Sequence, residues 1–130
     1  MKLLSSMSSP DYRNIEKTTR KNINYREVVY TIPDKIQLVN MSLNCGENIP
    51  WEIHYDTAQF IRVESGTGIA KIKTGRKIQT YDLYDGMSII IPPGKKHYIE
   101  NNGTSKLKLY TIYSGHTEHE SNKVNKRQPK

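Results

Sequence analysis

The chain has 130 residues and a formal net charge of +7, which predicts one small basic domain. Its only apolar run near the start is Leu3-Leu4, too short for a signal peptide, and no segment approaches the roughly 20 apolar residues of a membrane span. A single cysteine, Cys45, excludes an internal disulfide. We therefore expect a cytoplasmic protein without a membrane partner.

The two ends of the chain are polar and basic. Residues 1–22 are expected to form a flexible segment with one short helix within 11–22, and residues 115–130 a polar tail. Such ends can bind nucleic acid, but no aromatic residues are interleaved with the C-terminal charges, so solvated tails are the favoured interpretation. His116 and His119 are accordingly expected to be solvated rather than to bind metal.

Residues 23–114 show short alternating runs separated by turns, which is typical of antiparallel strands. About nine strands are expected, without room for crossover helices. They are predicted at 28–30, 36–43, 51–55, 59–64, 69–74, 77–81, 87–91, 97–100 and 107–113. The pattern predicts an all-β fold, a single antiparallel β-barrel or jelly roll.

Four polar residues within this segment have the spacing of a metal site. Glu52 and His54 are two apart on a predicted strand, so both are expected on the same face. Gln59 opens the next strand, and His97 follows the sharp bend of Pro92-Pro93-Gly94. Because carboxylate and imidazole groups bind divalent metals, convergence of these four side chains would form a metal site.

The spacing of these residues resembles the two motifs of the cupin superfamily. The second motif matches without a gap at Gly86, Pro92, Gly94, His97 and Asn101. The first keeps Gly46, His54 and Gly66, but Glu52 stands where the family usually has His, and Gln59 where it usually has Glu. The resemblance, which extends over about residues 25–113, implies a double-stranded β-helix with Glu52, His54, Gln59 and His97 as metal ligands.

The two departures from the usual motif leave the ligand charge unchanged, because the carboxylate has only moved between positions. The amide oxygen of Gln59 is a weaker, neutral donor, so we expect weaker binding of Fe²⁺, Mn²⁺, Ni²⁺, Co²⁺ or Zn²⁺. The competing interpretation is a metal-free barrel in which Glu52 and Gln59 are satisfied interior polar groups.

Resemblance to cupins implies several functions. A metal with open positions would suit an enzyme acting on a small molecule, either sugar-phosphate isomerase-like or dioxygenase-like. The alternative is a non-catalytic module that binds or senses a metal or small ligand. An acid or base near the metal that is not itself a ligand would distinguish the two.

The outer face of the predicted barrel carries Trp51 and Phe60, which alternate away from the proposed ligands. In cupins this face often packs against a second barrel, so the resemblance implies a homodimer. Asn101 is expected to fix a turn rather than contact a substrate.

Overall fold

The computed structural model describes residues 9–120 and 124–125. These residues form one helix and ten strands. The elements are α1 (Ile15–Lys21), β1 (Arg26–Ile32), β2 (Ile36–Leu43), β3 (Asn48–Glu52), β4 (Thr57–Ser65), β5 (Thr67–Thr74), β6 (Lys77–Tyr84), β7 (Ser88–Ile91), β8 (Lys96–Glu100), β9 (Leu107–Gly115) and β10 (Val124–Asn125).

The strands form two antiparallel sheets. The larger has six strands in the order β10-β1-β2-β9-β4-β7, and the smaller has four in the order β3-β8-β5-β6. Strands that follow one another in the chain often lie in different sheets, as in a jelly roll. The predicted all-β, double-stranded β-helix fold is therefore confirmed.

The apolar core lies between the inner faces of the two sheets. Ile61, Val63 and Leu109 of the larger sheet are at most 1% exposed, and Ile99 of the smaller sheet is equally buried. Inward and outward positions alternate along β4, as the period of two in the sequence predicts. The core fills the middle of the molecule and leaves one end for polar side chains.

Helix α1 lies against β4 and β9 of the larger sheet. It begins at Asn14, whose side chain accepts a hydrogen bond from the Lys17 amide. Thr19 is fully buried and donates a 3.1 Å hydrogen bond to Asn40. The predicted short helix is confirmed. Among the described residues, no helix has the length and apolar character needed to cross a membrane.

Strand β3 differs from its prediction. It ends at Glu52, so His54 lies in the following non-regular segment and not on the same strand. The pairing of β3 with β8 shifts register between Ile49 and Glu52, next to Pro50, which cannot donate a ladder hydrogen bond. This bulge brings Glu52 opposite His97 in the smaller sheet.

Residues 116–120, which we name the C-terminal strap, lie across one end of the two sheets. Gln37 on β2 donates to the carbonyl of His119 at 2.8 Å and accepts from its amide at 3.1 Å. The Thr57 hydroxyl on β4 lies 2.9 Å from the carbonyl oxygen of His116. His119 is therefore half-buried, contrary to the expectation of a solvated side chain, whereas the His116 side chain is 69% exposed.

The domain boundaries expected at residues 22/23 and 114/115 remain a prediction. Residues 1–8, 121–123 and 126–130 lie outside the described part of the chain. The basic residues Lys123, Lys126, Arg127 and Lys130, on which the interpretation of the C-terminal tail depended, belong to these segments.

Candidate metal centre

Three of the four predicted ligands converge at the end of the sheets that carries the C-terminal strap. One donor atom from each of Glu52, His54 and His97 lies within 4.8 Å of the others. Glu52 Oε1 is 3.4 Å from the Nε2 atom of each imidazole. One carboxylate and two imidazoles in this arrangement are a donor set suited to a divalent metal.

His97 is oriented by the bend that precedes β8. Gly94 takes a φ of +82°, which favours glycine, and its amide donates a 2.7 Å hydrogen bond to the carbonyl of His54. The His97 side chain is 1% exposed, and its Nδ1 lies 2.9 Å from the carbonyl of Lys95. A carbonyl oxygen only accepts, so Nδ1 donates to it and the other ring nitrogen, Nε2, faces Glu52.

His54 is oriented by a residue of the C-terminal strap. Its Nδ1 lies 2.7 Å from Glu118 Oε1, and Glu118 Oε2 accepts a 2.6 Å hydrogen bond from Thr57. A carboxylate on the far nitrogen of a histidine commonly orients the ring toward a metal and raises its basicity. Glu118 therefore directs His54 Nε2 toward Glu52.

Gln59, the fourth predicted ligand, belongs to the opposite sheet. It is 3% exposed, and its Nε2 donates to Thr111 at 2.9 Å, which assigns Oε1 as the remaining acceptor. In the sheet register Gln59 lies opposite Tyr113, whose ring centroid is 5.5 Å from that of His54. Gln59 therefore faces the same end of the interior as the other three residues.

The hydrogen bonding of the donor atoms indicates whether these residues fit a metal. Among the described residues, five buried side-chain nitrogens and oxygens lack a hydrogen-bond partner, and three of them are His54 Nε2, Gln59 Oε1 and His97 Nε2. Buried polar groups without partners are rare in folded proteins. Each of these side chains is already bonded through its other polar atom: His54 to Glu118, Gln59 to Thr111 and His97 to the carbonyl of Lys95. The three remaining atoms are therefore available to a divalent cation.

The electrostatics of the cluster keep its carboxylate ionised. Burial alone would raise the pKa of Glu52, but the adjacent imidazoles of His54 and His97 outweigh it and lower that pKa from 4.5 to about 2. Burial likewise opposes protonation of His54, whereas Glu52 and Glu118 together raise its pKa above 6.5. Glu52 is thus ionised at neutral pH.

Two further side chains lie beside the cluster. The hydroxyl of Tyr113 is 3.4 Å from Gln59 Nε2 and 3.3 Å from His119 Nε2. Tyr113 is 2% exposed, and burial, reinforced by the charge of Glu52, raises the pKa of its phenol. Tyr113 is therefore a neutral phenol in contact with an imidazole.

Sequence reasoning missed Glu118. The cluster of two histidines and two glutamates within residues 116–120 was the only local signal for it. Asn101, by contrast, has the predicted role: its side chain donates to the carbonyls of Leu43 and Ser105 and accepts from the amide of Gly103.

Two antiparallel sheets with convergent donors at one end define a double-stranded β-helix with a candidate metal centre. The model of the cupin domain family Cupin_2 matches residues 39–113, more than half of the chain. The uncharacterized protein L612 of Acanthamoeba polyphaga mimivirus is 43% identical over 98% of this chain and 78% of its own length. The chain therefore belongs to the cupin family.

Two other proteins are similar to this chain. The uncharacterized protein YrkC of Bacillus subtilis is 37% identical over 78% of this chain, which spans only 55% of YrkC. The crystal structure of BH2720 from Bacillus halodurans superposes with a TM-score of 0.85 at 34% identity, covering 92% of this chain and 90% of that one.

Proposed function

We propose that this cupin binds a divalent metal through Glu52, His54, Gln59 and His97 and acts as a metal-dependent enzyme on a small molecule. The observation that carries the proposal is the set of free acceptor atoms on His54, Gln59 and His97. Each is buried, and each belongs to a side chain whose other end is already hydrogen-bonded. Without a metal, Gln59 Oε1 has no partner among the described residues, and the two Nε2 atoms have only their 3.4 Å contacts with Glu52.

The enzymatic part of the proposal rests on Tyr113 and His119. Neither belongs to the proposed ligand set, yet the Tyr113 hydroxyl contacts both Gln59 and His119 Nε2. His119 also lines a cleft together with Glu52. An imidazole and a phenol beside the ligands supply the separate acid and base whose presence favours an enzyme over a binding module.

These positions favour proton-transfer chemistry of the isomerase type. The metal would act as a Lewis acid that polarises a substrate oxygen. His119 would accept or return a proton at a neighbouring carbon or oxygen, and Tyr113 would hydrogen-bond His119 and fix its ring. The strap that carries His119 would also exclude water from the ligands.

Metal content tests the first part of the proposal. Untagged protein is incubated with Fe²⁺, Mn²⁺, Ni²⁺, Co²⁺ or Zn²⁺, passed through a desalting column and measured by elemental mass spectrometry. We expect near-stoichiometric metal in the wild type, loss in Glu52→Ala and His97→Ala, and retention in the control His116→Ala, whose histidine is exposed. A wild type that remains empty with all five ions would refute the metal site.

Turnover tests the second part. We expect the metal-loaded protein to interconvert an aldose and a ketose phosphate, and His119→Gln to abolish this activity while keeping its metal. Dioxygen uptake in place of isomerisation would indicate the dioxygenase-like alternative. Ligand-dependent stabilisation without any product would instead indicate a binding module.

A further inference from the structure

A cleft of about 600 Å³ opens beside the candidate metal centre. It lies between β1 of the larger sheet and the edge strand β3 of the smaller sheet, and its lining includes Glu52, His119 and Arg26. Glu52 is a proposed metal ligand and His119 the proposed acid or base. A molecule in this cleft would therefore reach both the ligands and the proton-transfer group.

Arg26 faces this cleft because of its register in the larger sheet. On β1 it lies opposite Met41, which is 1% exposed and belongs to the core. Residues directly opposite each other in an antiparallel pair project to the same side. The Arg26 side chain therefore projects toward the interior end of the sheet rather than to the outer surface.

The guanidinium of Arg26 has no carboxylate partner among the described residues. Its Nε is buried and has no hydrogen-bond partner there, and no described carboxylate forms an ion pair with it. The carboxylates that share the cleft are engaged elsewhere: Glu52 with the two histidines, and Glu47 with the amide of Asn44. The aromatic ring of Tyr25, 5.5 Å from the guanidinium carbon, does not neutralise the charge.

We infer that Arg26 forms an oxyanion-binding subsite, which selects small molecules bearing a carboxylate or phosphate beside the group that reaches the metal. A guanidinium presents paired donors that match both oxyanions, and a buried donor without a partner gains most from such a ligand. The inference names the substrate class of the proposed function and rests on it.

The position of Arg26 also predicts how the ligand lies. Arg26 is close enough to the Tyr113 phenol to oppose the rise of its pKa, and Tyr113 contacts Gln59 and His119. The oxyanion would therefore bind on the β1 side of the cleft, with the reacting part of the molecule between Arg26 and Glu52. An acidic substrate would be held in one orientation by its two ends.

Calorimetric titration tests the subsite. Malonate, inorganic phosphate and neutral malonamide are titrated into the as-purified protein and into chelator-treated protein. The variants are Arg26→Gln, Arg26→Lys and the control Arg76→Gln, whose arginine lies exposed in the β5–β6 hairpin. Metal content and far-ultraviolet circular dichroism are recorded for each variant.

We expect at least one anion to bind the wild type and Arg76→Gln, and malonamide to bind neither. Arg26→Gln should weaken anion binding about tenfold or more, the order expected for a hydrogen-bonded charge, with Arg26→Lys intermediate. Preference for malonate or phosphate identifies the oxyanion. Equal anion affinity in the wild type and Arg26→Gln, or no anion binding at all, would overturn the inference.

The same measurements separate this inference from the proposed function. If the protein holds metal but binds anions independently of Arg26, the proposed metal site stands and the proposed subsite is refuted. If it holds no metal but binds anions through Arg26, the subsite stands and the proposed metalloenzyme is refuted.

Discussion

Glu118 lies outside both cupin motifs, yet it determines which atom of His54 faces the other ligands. Its two oxygens contact His54 Nδ1 and the Thr57 hydroxyl, so the carboxylate is fixed from both sides. Partners of this kind typically change metal affinity by about 10- to 100-fold when they are removed. The orientation of one proposed metal ligand therefore depends on a residue that would not itself bind the metal.

We predict that Glu118→Gln weakens metal binding by about 10- to 100-fold without unfolding the protein. The amide keeps the size of the side chain but removes the charge that raises the basicity of His54. The measurement is competition with a chromogenic chelator. Glu120→Gln, an exposed change two residues away, is the control, and equal affinity in both variants would contradict the role of Glu118.

Metal affinity should also depend on pH through His54. The pKa of His54 is raised above 6.5 by Glu52 and Glu118, so protons compete for its Nε2 as the pH falls through that raised value. Glu52, with its pKa lowered to about 2, stays ionised throughout this range. Affinity should be constant at high pH and then fall up to about tenfold per pH unit.

Chelator competition between pH 8 and pH 5.5 measures this dependence. Glu118→Gln removes one of the charges that raise the pKa of His54, so the fall in affinity should begin at a lower pH in that variant. A pH-independent affinity in the wild type would show that His54 is not a ligand.

The sequence identified the candidate ligands but not the residues that orient them. Glu52, His54, Gln59 and His97 are separated by fixed spacings within two motifs, and local patterns can encode such spacings. The contacts of Glu118 with His54 and of His119 with Tyr113 form only when the strap folds back onto the sheets. Arg26 gives no local signal in the sequence, because only the β1–β2 register shows where its side chain points.

At the scale of elements, β3 illustrates how a prediction can place a residue correctly for an incomplete reason. Alternation predicted Glu52 and His54 on one face of one strand. They do converge, but a bulge beside Pro50 turns Glu52 inward and the Gly94 amide holds the backbone of His54. Period-two reasoning does not include either of these non-local interactions.

We expect that removal of the C-terminal strap leaves the fold intact but weakens the candidate metal centre. Ending the chain after Gly115 should preserve the β-sheet circular dichroism, because β9 ends at that residue and the core lies in residues 28–113. Metal affinity should fall at least as far as in Glu118→Gln, since the orienting carboxylate is lost. Chelator competition on both variants makes the comparison.

A truncation after Glu120 is the matched control, because it keeps the strap and removes the same distal segment. It should bind metal as the full chain does. If both truncations lose metal equally, the contribution comes from residues beyond 120 and not from the strap.

At the scale of the whole molecule, the candidate metal centre joins the two sheets. Glu52 and His97 belong to β3 and β8 of the smaller sheet, whereas Gln59 belongs to β4 of the larger one. A metal held by all of them would link the sheets at one end. Metal binding should therefore stabilise the fold as well as the site.

We predict that a chelator lowers the melting temperature of the metal-loaded protein by roughly 10 °C. Metal at about 100 times its dissociation constant contributes about 2.7 kcal/mol, which corresponds to a few degrees per kcal/mol in a domain of this size. Differential scanning calorimetry makes the measurement. His97→Ala should not respond to the chelator, and a response equal to that of the wild type would place the metal elsewhere.

The homodimer remains a prediction. Trp51 is 36% exposed and stacks on Tyr98, with ring centroids 5.4 Å apart, and Phe60 is half-buried near Tyr110. Because Trp51 lies on the smaller sheet and Phe60 on the larger, sedimentation of the wild type and Trp51→Ala decides whether the outer face of the smaller sheet joins two copies. The expectations of a cytoplasmic location and of no nucleic-acid partner likewise stay predictions.

The chain positions of Glu118 and Arg26 have a consequence for divergence among proteins with this architecture. The segment that matches the cupin domain, residues 39–113, contains the four proposed ligands. Arg26, the proposed oxyanion-binding residue, lies before this segment, and Glu118, which orients His54, lies after it. Substitutions in these flanks can therefore change reactivity and specificity while the barrel and its motifs stay intact, so relatives with identical motifs can differ in chemistry.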